Sequence, residues 1–412
     1  MKLKAQRLFY GWWIVVACSL IMVYIGGVIH FGFTAIFEPI SKEFGWDYVQ
    51  ISLAVSMRGI ETSLLAPLMG LLVDRWGPRV LLFWGCVITG ASMILLGRIT
   101  SLWMFYGVFF LMAIGNSASG YTVMMTAISN WFQNKISTAA GLLASIAATG
   151  GLLVPVVTGL IDLLGWRNAM VLLGIGTWVV GIPLSLLVRN YPEPYGVLPD
   201  GAEPGNGLDR GRAGEEKPAK AHLPARRALA SRAFWHMALA FACYSFVINA
   251  VVTHVMPYLS SIGISRTVAS LVASAMPVAS IAGRFGFGWI GDRINKRKVS
   301  AACFLIMGLG LVIFDHVTAG GVWLFALFFV VFGLGWGGNV TLRTGLVRDY
   351  FGREKFGTMY GFLVGVMMLG SILGAPVAGW VFDRRGSYDG VWTVFAGMNV
   401  VAMLLVATMP QK

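Results

Sequence analysis

The chain has 412 residues, of which 57% are hydrophobic and only 12% charged, and its formal net charge is +13. Soluble domains are typically about half apolar and about a quarter charged, so this balance excludes a soluble enzyme. Repeated apolar runs of about 20 residues, each long enough to cross a membrane, also exclude a receptor with a single anchor. The composition therefore predicts a polytopic membrane protein.

The hydropathy pattern predicts twelve spanning helices in two sets of six. The first set is expected at about residues 10–36, 48–73, 79–98, 102–131, 137–164 and 168–189, and the second at about 233–260, 265–291, 297–317, 320–350, 356–383 and 388–409. Residues 190–232 are rich in Gly, Pro and Ala and carry charges of both signs, which is typical of a linker. We expect an all-α membrane protein with halves at 1–189 and 233–412 joined by the linker 190–232.

The basic residues lie at helix ends in alternate connections, for example Arg75 and Arg79 after the second span and Lys135 after the fourth. This alternation follows the positive-inside rule and places both termini in the cytoplasm. The first apolar run lacks a small-residue cleavage site, so it is expected to be a true span. The net charge thus indicates topology in the inner (plasma) membrane, with lipid as the surroundings and no nucleic acid as a partner.

The two sets repeat one another. The segment GLLVDRWGPR at 70–79 recurs as GWIGDRINKR at 288–297, an offset of 218 residues, with Asn295 in place of one glycine. Asp74 and Asp292 occupy the same place in the two copies. Duplicated six-helix halves are the architecture expected of alternating-access carriers.

Each acid of this repeat follows a span, where it could pair with arginines and with the N-terminal end of a neighbouring helix. We interpret the two copies as a conformational gate that holds helix ends together in one state. The alternative is that these charges only fix the topology. The candidate gate residues are Asp74, Arg75, Arg79, Asp292, Arg293 and Arg297.

Arg284 is the first candidate for substrate binding. It lies eight residues before Asp292, which at 1.5 Å per residue puts it about 12 Å inside the span. A buried arginine costs several kcal/mol unless an anionic or strongly polar group meets it, and no acid lies one turn away on the same helix. A substrate carboxylate, held by two parallel hydrogen bonds, would satisfy the guanidinium. The alternative is a structural ion pair.

Other polar residues inside spans are weaker candidates. Glu61 could carry a proton, although Arg58, three residues earlier, could neutralise it permanently. Arg343 can reach the membrane surface and is expected at a gate or interface. The candidates for substrate binding are Arg284, Tyr121, Asn339, His30, Asn116 and Ser280, and those for proton coupling are Glu61, His30 and His254.

The Asp-Arg motif between the second and third spans, with its weaker copy, resembles the signature of the major facilitator superfamily. The segments FYGWWIVVACSLI at 9–21 and NWFQNKISTAAG at 130–141 are similar to bacterial relatives of monocarboxylate transporters and oxalate/formate antiporters. The resemblance implies that Arg284 binds the substrate carboxylate. Mammalian members pair this arginine with an aspartate four residues earlier, where this chain has Ser280. Oxalate exchangers use a lysine in the eleventh span, which is absent here.

Together these features predict a secondary transporter of a small monocarboxylate, of the lactate or pyruvate class, with a proton as co-substrate. The alternatives are an oxalate/formate-type anion exchanger and, less favoured, a membrane sensor built on a carrier scaffold. We expect no enzymatic activity and a monomer. The four cysteines lie far apart in apolar spans, so no metal is expected, and no motif indicates an organic cofactor.

Overall fold

A computed structural model describes residues 9–31, 36–46, 50, 64–201, 225–264, 266–317 and 322–410. All regular secondary structure in these ranges is helical. Nine helical stretches within them are long and apolar enough to cross a membrane, and two of these, Leu102–Trp131 and Ile136–Leu164, each comprise two consecutive helices. A further apolar helix, Val391–Ala407, is shorter.

The helices before the linker alternate between long spans and shorter pieces. They are α1 (Tyr10–Ile25), α2 (Phe37–Phe44), α3 (described over 64–76), α4 (Pro78–Leu96), α5 (Leu102–Ala118), α6 (Tyr121–Trp131), α7 (Ile136–Ala148), α8 (Val154–Leu164) and α9 (Trp166–Leu187). A π-helical turn, Gly26–Phe31, continues α1, and a 3-10 turn, Thr149–Leu153, separates α7 from α8.

The helices after it are longer and less interrupted. They are α10 (Ala225–Leu229), α11 (Arg232–Ser261), α12 (Arg266–Arg293), α13 (Lys296–Asp315), α14 (Val322–Phe351), α15 (Phe356–Arg385) and α16 (Val391–Ala407). α15 remains helical through Pro376.

The fourth predicted span, 102–131, is broken at Ser119 and Gly120 into α5 and α6. Ser119 turns its hydroxyl back to the carbonyl of Gly115 at 2.9 Å, and Gly120 adopts an extended conformation. Serine and glycine favour such breaks because the hydroxyl competes for backbone groups and glycine gains little from the helix. The uninterrupted hydropathy of this run concealed the break.

The contacts divide the chain into two compact units. The N-terminal unit contains Met1–Asn134, Ile146–His222 and Arg353–Gly361, and the C-terminal unit contains Lys135–Ser145, Leu223–Gly352 and Phe362–Lys412. Each unit therefore includes a short segment that the sequence order assigns to the other half. A division at 189 and 232 stays a prediction, and the contact boundary falls within the predicted linker.

The two copies of the Asp-Arg motif form different turns. Gly77 ends α3 with φ +81°, a conformation that glycine adopts without strain, and Pro78 then begins α4. In the second copy Asn295 has φ −57° and caps α13, because its Oδ1 accepts from the N–H of Arg297 at 3.0 Å. Each copy thus starts its next helix with the residue that its turn requires.

The first part of the predicted linker packs on the N-terminal unit. Oδ1 of Asn190 accepts from the N–H of Arg79 at 3.0 Å. The carboxylate of Asp200 accepts from the two N–H groups of residues 133–134 at 3.1 and 2.6 Å. Because these bonds join the linker to two interhelical connections, residues 190–200 are part of the folded unit rather than a loose tether.

Arg353 donates from both of its terminal nitrogens to the carboxylate of Glu193, and these hydrogen bonds lower the pKa of Glu193. A carboxyl group whose pKa is lower in the folded state stabilises the fold above its unfolded pKa, and this stabilisation is lost as the pH falls through the lowered value. We expect Glu193→Gln to reduce the free energy of unfolding at neutral pH by less than about 1 kcal/mol, because the pair is partly exposed.

Thermal unfolding of the parent and the variant across pH tests this expectation. The difference should vanish in acid. Arg353→Gln should lose at least as much as Glu193→Gln, because Nε of Arg353 also donates to Oδ1 of Asn130 at 3.4 Å, and the double variant should lose no more than Arg353→Gln. A difference that persists unchanged at low pH would mean that Glu193 acts through packing and not through its charge.

Candidate functional site

Arg284 lies in the middle of α12 with a neutral partner. Its Nη1 donates to the backbone carbonyl of Ala144 on α7 at 2.5 Å, and its Nε is buried without a hydrogen-bond partner in the part of the chain that the structure describes. None of the ion pairs formed among the described residues includes it. The structural ion pair considered from sequence therefore has no described partner, and the described ranges offer no acceptor to the buried Nε.

Glycines hold the backbone of α12 at this point. A Cβ on Gly141 of α7 would lie 2.6 Å from the carbonyl oxygen of Arg284, and one on Gly337 of α14 would lie 2.8 Å from its backbone nitrogen. Real side chains do not reach such distances, so α12 packs backbone to backbone against both neighbours. The position of Arg284 is thus set by two close helix crossings.

Two of the predicted substrate ligands serve this packing. Ser280 is fully buried where Gly337 crosses α12. Asn339 is also fully buried, and its Oδ1 accepts from the hydroxyl of Ser300 on α13 at 2.8 Å. The Asn339 bond to Ser300 and the full burial of both side chains favour structural roles, and we leave both out of the site proposed below.

The N-terminal unit contains the other predicted ligands. Tyr121 is the first residue of α6, directly after the break, and its half-buried ring lies 6.2 Å from the ring of Tyr360. Asn116 is on the last turn of α5 and is 7% exposed. Tyr360 stacks on Phe356 at 5.4 Å and was missed from sequence. Its only signal was a tyrosine inside an apolar span beside Gly361 of the repeat.

The proton-coupling candidates are only partly visible. Arg58 and Glu61 lie outside the described residues, and His30 falls in the π-helical turn that continues α1. His254 uses both ring nitrogens: Nε2 lies 2.9 Å from the carbonyl of Ala375, and Nδ1 lies 2.8 Å from the hydroxyl of Tyr388. A carbonyl only accepts, so Nε2 carries a proton, and in the neutral ring Nδ1 accepts from Tyr388. These contacts favour a structural role for His254.

Both acids of the repeated motif cap the N-terminus of a helix with the same geometry. Asp74 accepts from the N–H of Gly357 at 3.0 Å and from the N–H and hydroxyl of Thr358 at 2.8 and 2.6 Å, at the start of α15. Asp292 accepts from the N–H of Ser137 at 3.0 Å and from the N–H and hydroxyl of Thr138 at 2.8 and 2.6 Å, at the start of α7. Each carboxylate accepts from N–H groups that have no partner within their own helix, and each lies at the positive end of the helix dipole.

The arginines of the motif take no part in these caps. The side chain of Arg293 covers the ring of Trp289 at 3.5 Å, and Nη1 of Arg297 donates to the carbonyl of Met409 at 2.6 Å. Arg75 and Arg79 are exposed. The expected pairing between acid and arginine is therefore absent among the described residues, because backbone N–H groups and threonine hydroxyls already occupy the carboxylate oxygens.

The two capped crossings share the acid, the threonine of the cap and the glycine four residues before the acid, and they differ in the residue eight positions before the acid. Four residues before each acid, Gly70 and Gly288 let the backbone of the partner helix approach. Eight residues before each acid, the first copy has Ala66 and the second has Arg284. Arg284, Gly288 and Asp292 thus share one face of α12, and only this copy carries a cation on that face.

This repeated arrangement agrees with the comparison to known families. A profile of the Major Facilitator Superfamily matches residues 12–265 and 254–411. The chain belongs to the major facilitator superfamily. The prediction made from the two Asp-Arg motifs is confirmed, and the chain is an all-α, multi-pass membrane protein of a transporter family.

Two relatives of this superfamily member are named as transporters of carboxylates. Monocarboxylate transporter 12 of Xenopus laevis is 24% identical over 403 residues, which cover 95% of this chain and 86% of the relative. The oxalate:formate antiporter of Oxalobacter formigenes is 23% identical over 395 residues, covering 96% of this chain and 90% of the relative.

The fold of this superfamily member also matches solved structures. The crystal structure of the E. coli fucose:proton symporter has a TM-score of 0.70 at 17% identity and covers 98% of this chain and 100% of its own. At this identity the match shows the fold alone. The fold therefore agrees with the membrane-spanning helical architecture predicted from hydropathy. The count of twelve spans stays a prediction.

Proposed function

We propose that the protein is a secondary active transporter that carries small monocarboxylates of the lactate and pyruvate class across the plasma membrane, together with a proton, by alternating access. The observation that carries this proposal is Arg284, a cation inside a membrane helix whose side-chain hydrogen bond within the described ranges goes to a neutral carbonyl. Its Nε has no described partner. A carboxylate is the ligand that matches the planar fork of donors on a guanidinium.

The names of the relatives support a small organic anion as the substrate and leave two transport modes open. We favour the monocarboxylate mode because Arg284 matches a single carboxylate and the eleventh predicted span lacks the lysine that oxalate exchangers use there. Tyr121, Asn116 and His30 remain candidate contacts from the sequence. In this proposal both termini are cytoplasmic, and the Asp74 and Asp292 caps hold helix ends together in the state that is closed on that side.

Thermal unfolding of the purified protein with a panel of organic acids tests the substrate class. A ligand that binds only the folded protein stabilises it by about 2.7 kcal/mol at a concentration 100 times its dissociation constant. We expect lactate and pyruvate to raise the unfolding temperature of the parent and to leave the unfolding temperature of Arg284→Ala unchanged. The monocarboxylate proposal fails if neither acid stabilises the parent.

A separate prediction concerns proton coupling. An intramembrane carboxyl or imidazole can change its protonation state as access alternates, so Glu61 and His30 are the proposed carriers. We expect Glu61→Gln or His30→Gln to lose accumulation driven by an inward proton gradient while counterflow exchange of labelled substrate survives. His254→Gln is the matched control, since both nitrogens of His254 are already bonded to α15 and Tyr388.

The outcome is read in proteoliposomes from the same preparation. Normal gradient-driven accumulation by both Glu61→Gln and His30→Gln would remove these residues as carriers and return Glu61 to a structural pair with Arg58. Loss of accumulation in His254→Gln alone would instead assign the coupling to the His254 contact.

A further inference from the structure

One face of α12 joins the candidate substrate arginine to the capped end of α7. Arg284 donates to the Ala144 carbonyl. A Cβ on Gly288 would lie 2.9 Å from the carbonyl oxygen of Ser137, so the two backbones are in close contact there. Asp292 caps the first turn of α7. These three positions are four residues apart, so their contacts follow one another along a single crossing. The side chains at the two ends of this crossing therefore restrain the same pair of helices.

The Nε donor of Arg284, which has no partner in the described part of the chain, is not accessible to an anion in this arrangement. Its Nε is buried, and Nη1 is committed to Ala144. A carboxylate that takes the side-on edge of the guanidinium needs Nε, so the guanidinium must turn, and turning moves Nη1 away from the Ala144 carbonyl. Binding an anion and holding α7 are then competing uses of one side chain.

We propose that Arg284 couples carboxylate binding to the Asp292 cap. Without substrate, the bond from Arg284 to Ala144 helps to hold α7 against α12 and so supports the cap. When a carboxylate binds Arg284, the bond to the Ala144 carbonyl breaks and the Asp292 cap becomes weaker. The identification of the anion as a carboxylate rests on the proposed function, whereas the link between Arg284 and the cap rests on the contacts alone.

Linkage makes the effect reciprocal: if an anion at Arg284 loosens the cap, then loosening the cap favours the arrangement in which Arg284 is available. Asp292 and Thr138 are therefore positioning residues for Arg284. The first copy of the motif provides the matched control. Its cap, Asp74 on Thr358, has the same chemistry, but Ala66 stands where the second copy has Arg284.

The first test needs no substrate. Phenylglyoxal modifies accessible arginines, and the extent of modification of Arg284 is measured by mass spectrometry of the peptide that contains it. We expect Asp292→Asn to raise the rate of Arg284 modification by about five-fold or more. Asp74→Asn should leave the rate within a factor of about two of the parent.

Equal rates in the parent and Asp292→Asn, or an equal increase in both variants, would overturn the coupling. Thr138→Val and Thr358→Val form a second matched pair in case an Asn variant fails to fold, because each removes only the hydroxyl donor of its cap. Thr138→Val should raise the rate of Arg284 modification and Thr358→Val should not, and equal rates in these two variants would overturn the coupling.

The second test uses lactate and hydrogen exchange. In the parent, lactate should accelerate exchange in the peptide that contains residues 137–138 and leave the peptide with residues 357–358 unchanged. Slower exchange at 137–138, or equal acceleration at both, would contradict the coupling. If lactate has no effect on stability or exchange while the modification test succeeds, the monocarboxylate assignment fails and the link between Arg284 and the cap stands.

Discussion

Replacing Arg284 with alanine should abolish uptake of labelled lactate in proteoliposomes, with a loss of at least about 100-fold. Two charge-assisted hydrogen bonds to a carboxylate contribute about 3–6 kcal/mol, since each contributes about 1.5–3 kcal/mol. Folding should survive because, among the described contacts, the variant loses one side-chain hydrogen bond, to the Ala144 carbonyl. Removing the half-buried cation also removes the cost of its partial desolvation.

Two further variants sharpen this result. Arg284→Lys should restore little uptake, because a single ammonium cannot reproduce the planar fork of the guanidinium. Arg98→Ala, which removes one exposed positive charge, should transport at the parental rate. Uptake by Arg284→Ala at the parental rate would refute the assignment of Arg284 as the carboxylate ligand, provided that both variants unfold at the parental temperature.

Monoanions should compete for transport far better than dianions of the same size. Residues 356–381 of α15 contain no lysine, arginine or histidine, and the first basic residues of this helix are Arg384 and Arg385 in its last turn. An oxalate held at Arg284 would keep its second carboxylate without a cation, which costs several kcal/mol in a medium of low dielectric constant. We therefore expect oxalate to compete at least about 100-fold more weakly than glycolate.

Glycolate and oxalate both have two carbons, so the comparison isolates charge. The measurement is competition against labelled lactate at a pH where oxalate is fully ionised. Oxalate that competes as well as glycolate would favour the exchanger, which is the function named for the Oxalobacter formigenes relative. Arg343, which is buried and donates to the Met367 sulfur at 3.0 Å, would then be the next cation to test.

The sequence alone determined the class of protein and the places where its two copies correspond. Runs of about 20 apolar residues cross a membrane as helices, because a helix pairs every backbone N–H and C=O group within its own segment. The offset of 218 residues between Asp74 and Asp292 located two equivalent helix ends. Arg284 stood out because ionisable residues are costly at such depth.

Only the tertiary structure decided which groups these residues meet. Asp74 and Asp292 accept from backbone N–H groups that lie 283 and 155 residues away from them in sequence, at the starts of two helices, and not from the arginines beside them. Arg284 bonds to the carbonyl of Ala144, and Asn339 bonds to Ser300. A backbone carbonyl has no sequence signal, and the facing side of a helix depends on the helices packed around it, so neither partner could be predicted from the order of residues.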